Sequence, residues 1–493
     1  MHHHRRAGRP PCGDCEIVLE PCWNFYTSRP QAEAQCHLNK ILAQWQGLNY
    51  VAVVDTQLED VFGLYERCLV GVIEYLQAQI KLKVRRSIYT AQVVIWLMIV
   101  QRLQPRGTLS GGVDALLSGT ADRLLSGCER ARQKRISRNT GGYSHARQRL
   151  PGLLCRQVLA ELLTRLREIL NPGGSRLAYI LDGSSLELEA SPSLSRIYPP
   201  AENQHGRAHW PVLRMLVMHE ADTGLAEQPQ WGAMYGIAAV SEQQLADRAM
   251  DGLKPGSIII GDRNFGVFSV AWQAQQHGLD AVIRLTSARA RRIAGGPIVG
   301  EGEQSVCWAA SRFDGRRLGG MPEGAKVSGR LISVRIGRGK SKDWLCLFTT
   351  LQLPQAAVIE LYGKRWHIET DLRSLKRTIG MHHIAARNQS MMDKELLTAM
   401  AAYNLVRAVI ALAAQRHHLA PRQLSFSFVL TVVNSSWPRL QAVTDAEMYR
   451  HELLRMLDTA AQGKHPKRKK RRVFPRAVWG RGSKFPSRKE QNP

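Results

Sequence analysis

Three carboxylates have the surroundings that chemistry requires. Asp182 closes the apolar run LAYILDG, Asp262 follows the apolar run SIIIG, and Glu369 lies within IELYGKRWHIETDLRSLKRTIG, residues 359 to 380. Catalytic and ligand-binding groups of α/β sheets gather at the carboxyl ends of strands. A lone Asp in that place is as readily a turn former or helix cap. Two in one sheet, with a third acid on a helix among cations, suit phosphodiester chemistry at neutral pH. Mg²⁺ takes hard oxygen ligands, and two such ions ~3.5–4 Å apart activate the attacking oxygen and stabilise the leaving one. Nearby Arg and Lys bind the non-bridging oxygens.

The segment around Glu369 reads as a helix with three faces rather than the usual two. At about 100° per residue, Tyr362, Arg365, Glu369, Arg373 and Lys376 form a stripe roughly 80° wide. Leu361, Ile368, Leu372, Leu375 and Ile379 form the apolar face, and Glu360, Lys364, His367, Asp371 and Thr378 take the remaining side. A simpler reading makes Arg365, Glu369 and Arg373 an i,i+4 salt-bridge ladder on a solvated face. If Glu369 instead holds a metal ion, Tyr362, Arg365 and Lys376 line the path of a nucleic acid strand.

The elements that must position these groups form an α/β chain. With 493 residues it can hold two or three domains. Its formal charge of +27 calls for an anionic partner, nucleic acid rather than a membrane surface. No uninterrupted apolar run reaches ~18 residues: VVIWLMIV ends at Gln101, and AAYNLVRAVIALAA is broken by Asn404 and Arg407. MHHHRRAGRPPCGDC lacks the apolar stretch of a secretory signal. Nine scattered cysteines fit a reducing, cytoplasmic setting rather than a disulfide framework. Cys12, Cys15, Cys22 and the Cys36-His37 pair could be imagined as a zinc knuckle, but their gaps match no common pattern, and free thiols are the reading adopted.

Residues 1–37 are expected to be a poorly ordered extension, and 38–172 a mostly helical, DNA-binding region. Within the latter, RARQKRISRNTGGYSHARQRLP packs basic residues around a Gly-Gly turn and suits phosphate contacts. Residues 173–285 alternate strands and helices, the pattern of a mixed sheet. WPVLRMLVMHEADTGLAEQPQWG reads as two strands joined at Asp222-Thr223-Gly224, and SEQQLADRAMDGL as a Ser-capped helix. Residues 286–345 lose helical periodicity and read as a β-rich insertion; 346–390 supply a last strand and the Glu-bearing helix, which starts at Pro354. A helical region, 391–463, and a basic tail, 464–493, complete the chain.

Tyr362-x2-Arg365-x3-Glu369-x6-Lys376 resembles the Tyr-Arg-Glu-Lys signature of bacterial insertion-sequence transposases of the IS-four type, a branch of the DDE transposases. LDGSSLEL looks like that family's first-Asp strand, GDRNFG its second-Asp strand, and SHARQRLP is similar to a segment preceding its catalytic domain. The resemblance runs from roughly 130 to 390. It implies an RNase H-like catalytic core with a β-rich insertion before the Glu helix. It also implies two Mg²⁺ ions, with Mn²⁺ able to substitute, a DNA-bound homodimer, and cut-and-paste transposition, in some members through hairpinned ends. Asp182, Asp262 and Glu369 would then be the metal triad, and Tyr362, Arg365, Arg373 and Lys376 the DNA contacts. Trp308 is a candidate for stacking on a flipped base, whereas Trp344 belongs to an apolar strand. His205 and His209 are read as surface or core residues. The cysteine-bearing extension has no counterpart in the family pattern.

Two other readings stay open: a DNA-binding regulator without catalysis, and a stand-alone metal nuclease of the same fold. Intact carboxylates and signature residues speak against the first. The separation of 107 residues from Asp262 to Glu369, with its β-rich insert, favours a transposase over a compact nuclease by family analogy. A cytoplasmic, nucleoid-associated protein with no membrane partner is expected.

Overall fold

The computed structural model describes residues 60–465, apart from 81–86, 105–106, 126, 134, 205, 315–320, 339–340 and 383. The cysteines of the N-terminal extension, His205 and the basic tail from 466 onward lie outside the described residues.

A nine-stranded mixed sheet forms the centre. Its strands are β1 (Ala178–Glu187), β2 (Pro200–Asn203), β3 (Gly206–Glu220), β4 (Gln230–Ala233), β5 (Ile258–Gly261), β6 (Asp280–Leu285), β7 (Gly302–Ala309), β8 (Lys326–Arg338) and β9 (Ser341–Thr349). The order is β2-β3-β1-β5-β6-β9-β8-β7, with β4 paired to β3 outside that path. Pairings β1–β5 and β5–β6 are parallel, and the others are antiparallel.

The helices are α1 (Val61–Ile80), α2 (Ala91–Leu103), α3 (Leu109–Leu117), α4 (Gly141–Arg149), α5 (Gly152–Leu170), α6 (Pro192–Ile197), α7 (Glu242–Met250), α8 (Phe268–Gln276) and α9 (Ser287–Ala294). After β9 come α10 (Gln355–Gly363), α11 (His367–Arg373), α12 (Gln389–Arg416), α13 (Phe426–Ala442) and α14 (Ala446–Ala461). Glu129–Arg132 adds a single further turn. α7 starts on a full capping box: Ser241 Oγ accepts from Gln244 N at 3.2 Å, and Gln244 Oε1 accepts from Ser241 N at 2.8 Å.

Strand alternation divides the core into two layers. Tyr179 and Leu181 of β1 and Leu216 and Met218 of β3 face α7 and α8, which bury Leu245, Met250 and Phe268 against them. Ile180, Ile258, Ile260 and Val282 face the other way, against Val358, Tyr362, Ile368 and Leu372. Each such fully buried Ile contributes on the order of 1.5–3 kcal/mol, so the segment carrying Glu369 is fastened to one face of the parallel strands.

α12 is long and apolar enough to cross a membrane by composition, but its apolar window is wholly buried within the protein. Its two interrupting residues have internal partners. Asn404 pairs with both Ala226 N and Ala226 O at 2.8 Å, and Arg407 Nε donates to Tyr403 Oη at 2.8 Å. It is a core helix, packed against α2, α5 and α14.

Two local expectations differ from the structure. Gly141 and Gly142 begin α4 rather than form a turn, and Arg147 on that helix is buried and ion-paired with Glu395 at 2.7 Å, which removes it from phosphate contact. The stretch 286–345 contains a helix, α9, only eight residues long and rich in arginine, which buries Ala290 and packs Ile293 and Ala294 against the core. Its strands form no separate sheet: β9 pairs with β6 from Val282↔Thr349 to Leu285↔Cys346, so β7–β9 prolong the central sheet. All five described cysteines, Cys68, Cys128, Cys155, Cys307 and Cys346, are free thiols.

Candidate active site

Asp182 and Asp262 stand side by side. The parallel register runs Ala178↔Ile258, Tyr179↔Ile259, Ile180↔Ile260, so the two acids are each two residues beyond the last pair, where the strands diverge. β1 does not end at Asp182, as its sequence suggests; it continues to Glu187 paired to β3 alone, with Asp182 opposite Val217. The even-numbered positions that put Ile180 and Ile260 beneath the Glu369 segment carry Asp182 and Asp262 to that same face.

The electrostatics agree with this placement. Burial pushes the Asp182 carboxyl up from 3.8 to about 6, and the neighbouring charges of Asp262 and Glu242 push the same way, against the Gly183 N–H (2.9 Å to Oδ1) and the Arg365 guanidinium. Among the described residues, neither Asp182, Asp262 nor Glu369 forms an ion pair. The salt-bridge ladder read on Arg365, Glu369 and Arg373 is therefore absent. No group of three or more His, Cys, Asp or Glu side chains is gathered closely enough to hold a metal ion among the described residues. The structure thus joins Asp182 to Asp262 and leaves the exposed Glu369 apart from them.

The Glu369 segment is helical throughout but not one regular α-helix. A 3₁₀ turn, Lys364–Trp366, separates α10 from α11, and a π turn, Ser374–Thr378, comes after α11, closed by Ile379 N donating to Ser374 O at 2.9 Å. The wider π turn rotates the residues within and beyond it away from the phase of a regular α-helix. Lys376 consequently faces β1, where its Nζ donates to Ser184 Oγ at 3.1 Å and Ser185 O at 2.9 Å. Tyr362 is buried rather than lining an open path, with its hydroxyl near Arg365, Arg284 and Asp262; burial raises its pKa. Arg365 lies over the ring of Trp366, 4.5 Å from its centroid, and Arg373 is exposed.

The remaining side of the segment is covered around Asp371, while Glu360 is exposed. Asp371 is fully buried and accepts hydrogen bonds from Arg407 of α12 and from Arg422, whose Nη1 is 2.6 Å from Oδ1 and 2.7 Å from Oδ2. Arg422 also donates to Ala221 O at 3.0 Å and Glu220 O at 2.6 Å. Burial alone would raise the Asp371 pKa, but the two guanidiniums outweigh it and hold the carboxyl below its ordinary value. This ion triad ties the segment to β3 and to the C-terminal helices.

Three residues at this end of the sheet escaped the sequence reading. Arg284 sits near the end of β6, and its buried Nε, like that of Arg365, has no hydrogen-bond partner. Glu242 is the first residue of α7, and Trp366, 61% exposed, is the largest apolar surface on the Glu369 segment. Only Trp366 left a trace, an aromatic inside a charged stretch. Conversely, Trp308 is 2% exposed and packs edge-on against Phe268 and Phe348, so it is core, whereas Trp344 is half-buried beneath Arg335. His209 is exposed on the outer arm of β3.

The family model described as "Transposase DDE domain" matches residues 173–405, a span that begins just before β1 and contains both aspartates and Glu369. Residues 173–405 are thus similar to the DDE domain of transposases. The chain is 25% identical over 314 residues to "Transposase InsG for insertion sequence element IS4" of Escherichia coli (strain K12), covering 62% of this chain and 68% of the relative. The transposase is accordingly an enzyme of DNA cleavage and strand transfer, with DNA as its substrate and a divalent metal ion as its requirement. Its residues fit such an ion: two adjacent acids form no ion pair among the described residues, and burial, with the neighbouring acids, raises one of them to about 6.

Proposed function

We propose that this transposase binds the ends of its own insertion sequence and excises and rejoins it by Mg²⁺-dependent cut-and-paste chemistry, on an RNase H-like core and as a DNA-bound homodimer. The observation that carries the reading is the placement of Asp182 and Asp262, each two residues beyond the last pair of adjacent parallel strands whose apolar face lies under the Glu369 segment. Asp182, Asp262 and Glu369 would hold the metal, with Mg²⁺ as the physiological ion and Mn²⁺ as a substitute. Glu369 would join the two aspartates when DNA is bound. A bound metal supplies Lewis-acid stabilisation of the attacking and leaving oxygens.

The chain's own part is positioning. Arg284 and Arg365 present buried N–H groups with no internal acceptor, suited to phosphate oxygens. Tyr362 braces them from below, and Lys376 and Arg373 extend the cationic track along the segment. The exposed Trp366 ring, already under a guanidinium, offers a base a stacking surface.

The test is cleavage of supercoiled DNA carrying the flanking element's own ends, with Mg²⁺, by wild type and Glu369→Ala. Nicking or excision at the ends by wild type alone supports the reading. Equal cleavage by both removes Glu369 from the centre. Tight end binding with no cleavage by wild type would leave a DNA-binding regulator.

A further inference from the structure

We infer that Glu242 is a fourth acid of the cleavage centre: a positioning residue that fixes the Asp262 loop and adds a negative charge behind the metal site. The inference rests on Asp182 and Asp262 holding the metal. Helix capping gives Glu242 no task, because Ser241 and Gln244 already complete the capping box. Its side chain turns instead across the backbone of Gly183, the residue after Asp182. A Cβ at Gly183 would lie 2.7 Å from Glu242 Cγ and closer still to the carboxylate, so the lack of a side chain there is what admits Glu242.

From that position Glu242 reaches the second aspartate through one residue. Asn264 Nδ2 donates to Glu242 Oε2, and Asn264 N donates to Asp262 Oδ1 at 2.9 Å. Gln243, the next residue of α7, holds Asn264 as well, its Nε2 donating to Asn264 O at 2.8 Å and to Asn264 Oδ1 at 3.1 Å. The start of α7 thus clamps the loop after β5 and borders the backbone that carries Asp182. No ion pair neutralises Glu242 among the described residues. An unneutralised acid beside two others is electrostatically unfavourable in the free protein. It becomes favourable when a divalent cation occupies the centre, because the same charge then attracts it. Glu242 is not placed as a direct ligand.

Glu242→Gln separates this from a purely structural role, since glutamine keeps an oxygen for Asn264 Nδ2 and loses only the charge. In the full-length transposase, Mn²⁺ binding without DNA, monitored by electron paramagnetic resonance, should weaken roughly ten-fold. The Mg²⁺ concentration for half-maximal end cleavage should rise by a similar factor, while metal-free end binding stays near wild type and the metal-free melting temperature does not fall. Gly183→Ala, which displaces the carboxylate without neutralising it, should also weaken Mn²⁺ binding and should add little in the Glu242→Gln background. Wild-type Mn²⁺ affinity and Mg²⁺ requirement in Glu242→Gln would overturn the inference. Asp182→Asn, run alongside, isolates the parent reading: if it too binds Mn²⁺ like wild type, the metal does not sit at Asp182 and the parent reading fails first.

Discussion

An acid that waits for a metal ion should destabilise the protein that lacks one, and Asp182 makes this measurable. Its carboxyl is raised from 3.8 to about 6 by burial and by Asp262 and Glu242. Because the folded value lies above the unfolded one, folding favours the protonated form. Below about pH 4 the group is protonated in both states and costs nothing. The penalty grows between about pH 4 and pH 6 and is complete above that. At about 1.4 kcal/mol per pH unit, its ceiling is about 3 kcal/mol. Asp182→Asn removes the charge at constant shape. In EDTA at pH 8 the variant should therefore unfold at higher denaturant than wild type, by up to about 3 kcal/mol, and the gain should vanish near pH 4. Added Mg²⁺ should reverse the order, stabilising wild type by about 4.1 kcal/mol at a thousand times its Kd and leaving the variant unmoved. Urea denaturation at several pH values, with and without Mg²⁺, reads all of this. A variant less stable than wild type at pH 8, or a gain independent of pH, would refute the electrostatic account. Equal stabilisation of both proteins by Mg²⁺ would put the metal elsewhere.

The same geometry sets two further outcomes. Asp371→Asn leaves Arg407 and Arg422 buried without their shared counter-charge; it should cost about 3–5 kcal/mol of folding stability by urea denaturation, and a loss under about 1 kcal/mol would show that the triad does not hold the Glu369 segment. Arg284→Ala should weaken end binding and lower the slope of log affinity against log salt by about 1, as read by gel shift at several salt concentrations. An unchanged slope would mean that Arg284 serves only its 3.7 Å pairing with Asp343.

What the sequence determined by itself is local and periodic. Apolar runs ending near Asp182 and Asp262 marked two strands, because a buried parallel strand must be apolar on both faces. The four signature residues marked the segment around Glu369, and the charge of +27 marked an anionic substrate. What tertiary structure alone decided depends on neighbours distant in sequence. Register between β1 and β5 made two acids 80 residues apart adjacent on one face. The helical wheel left Asp371 on a side with no assigned partner, and only the packing of α12 and Arg422 shows that side to be covered. The wheel also assumed a uniform 100° per residue, which the 3₁₀ and π turns break, so Lys376 faces β1. Arg284 and Glu242 carry no sequence signal, being one arginine in a strand and one acid after a serine cap. Their meaning comes from the parallel strands that bring Arg284 near Tyr362 and Asp262, and from the bare backbone of Gly183 that admits Glu242.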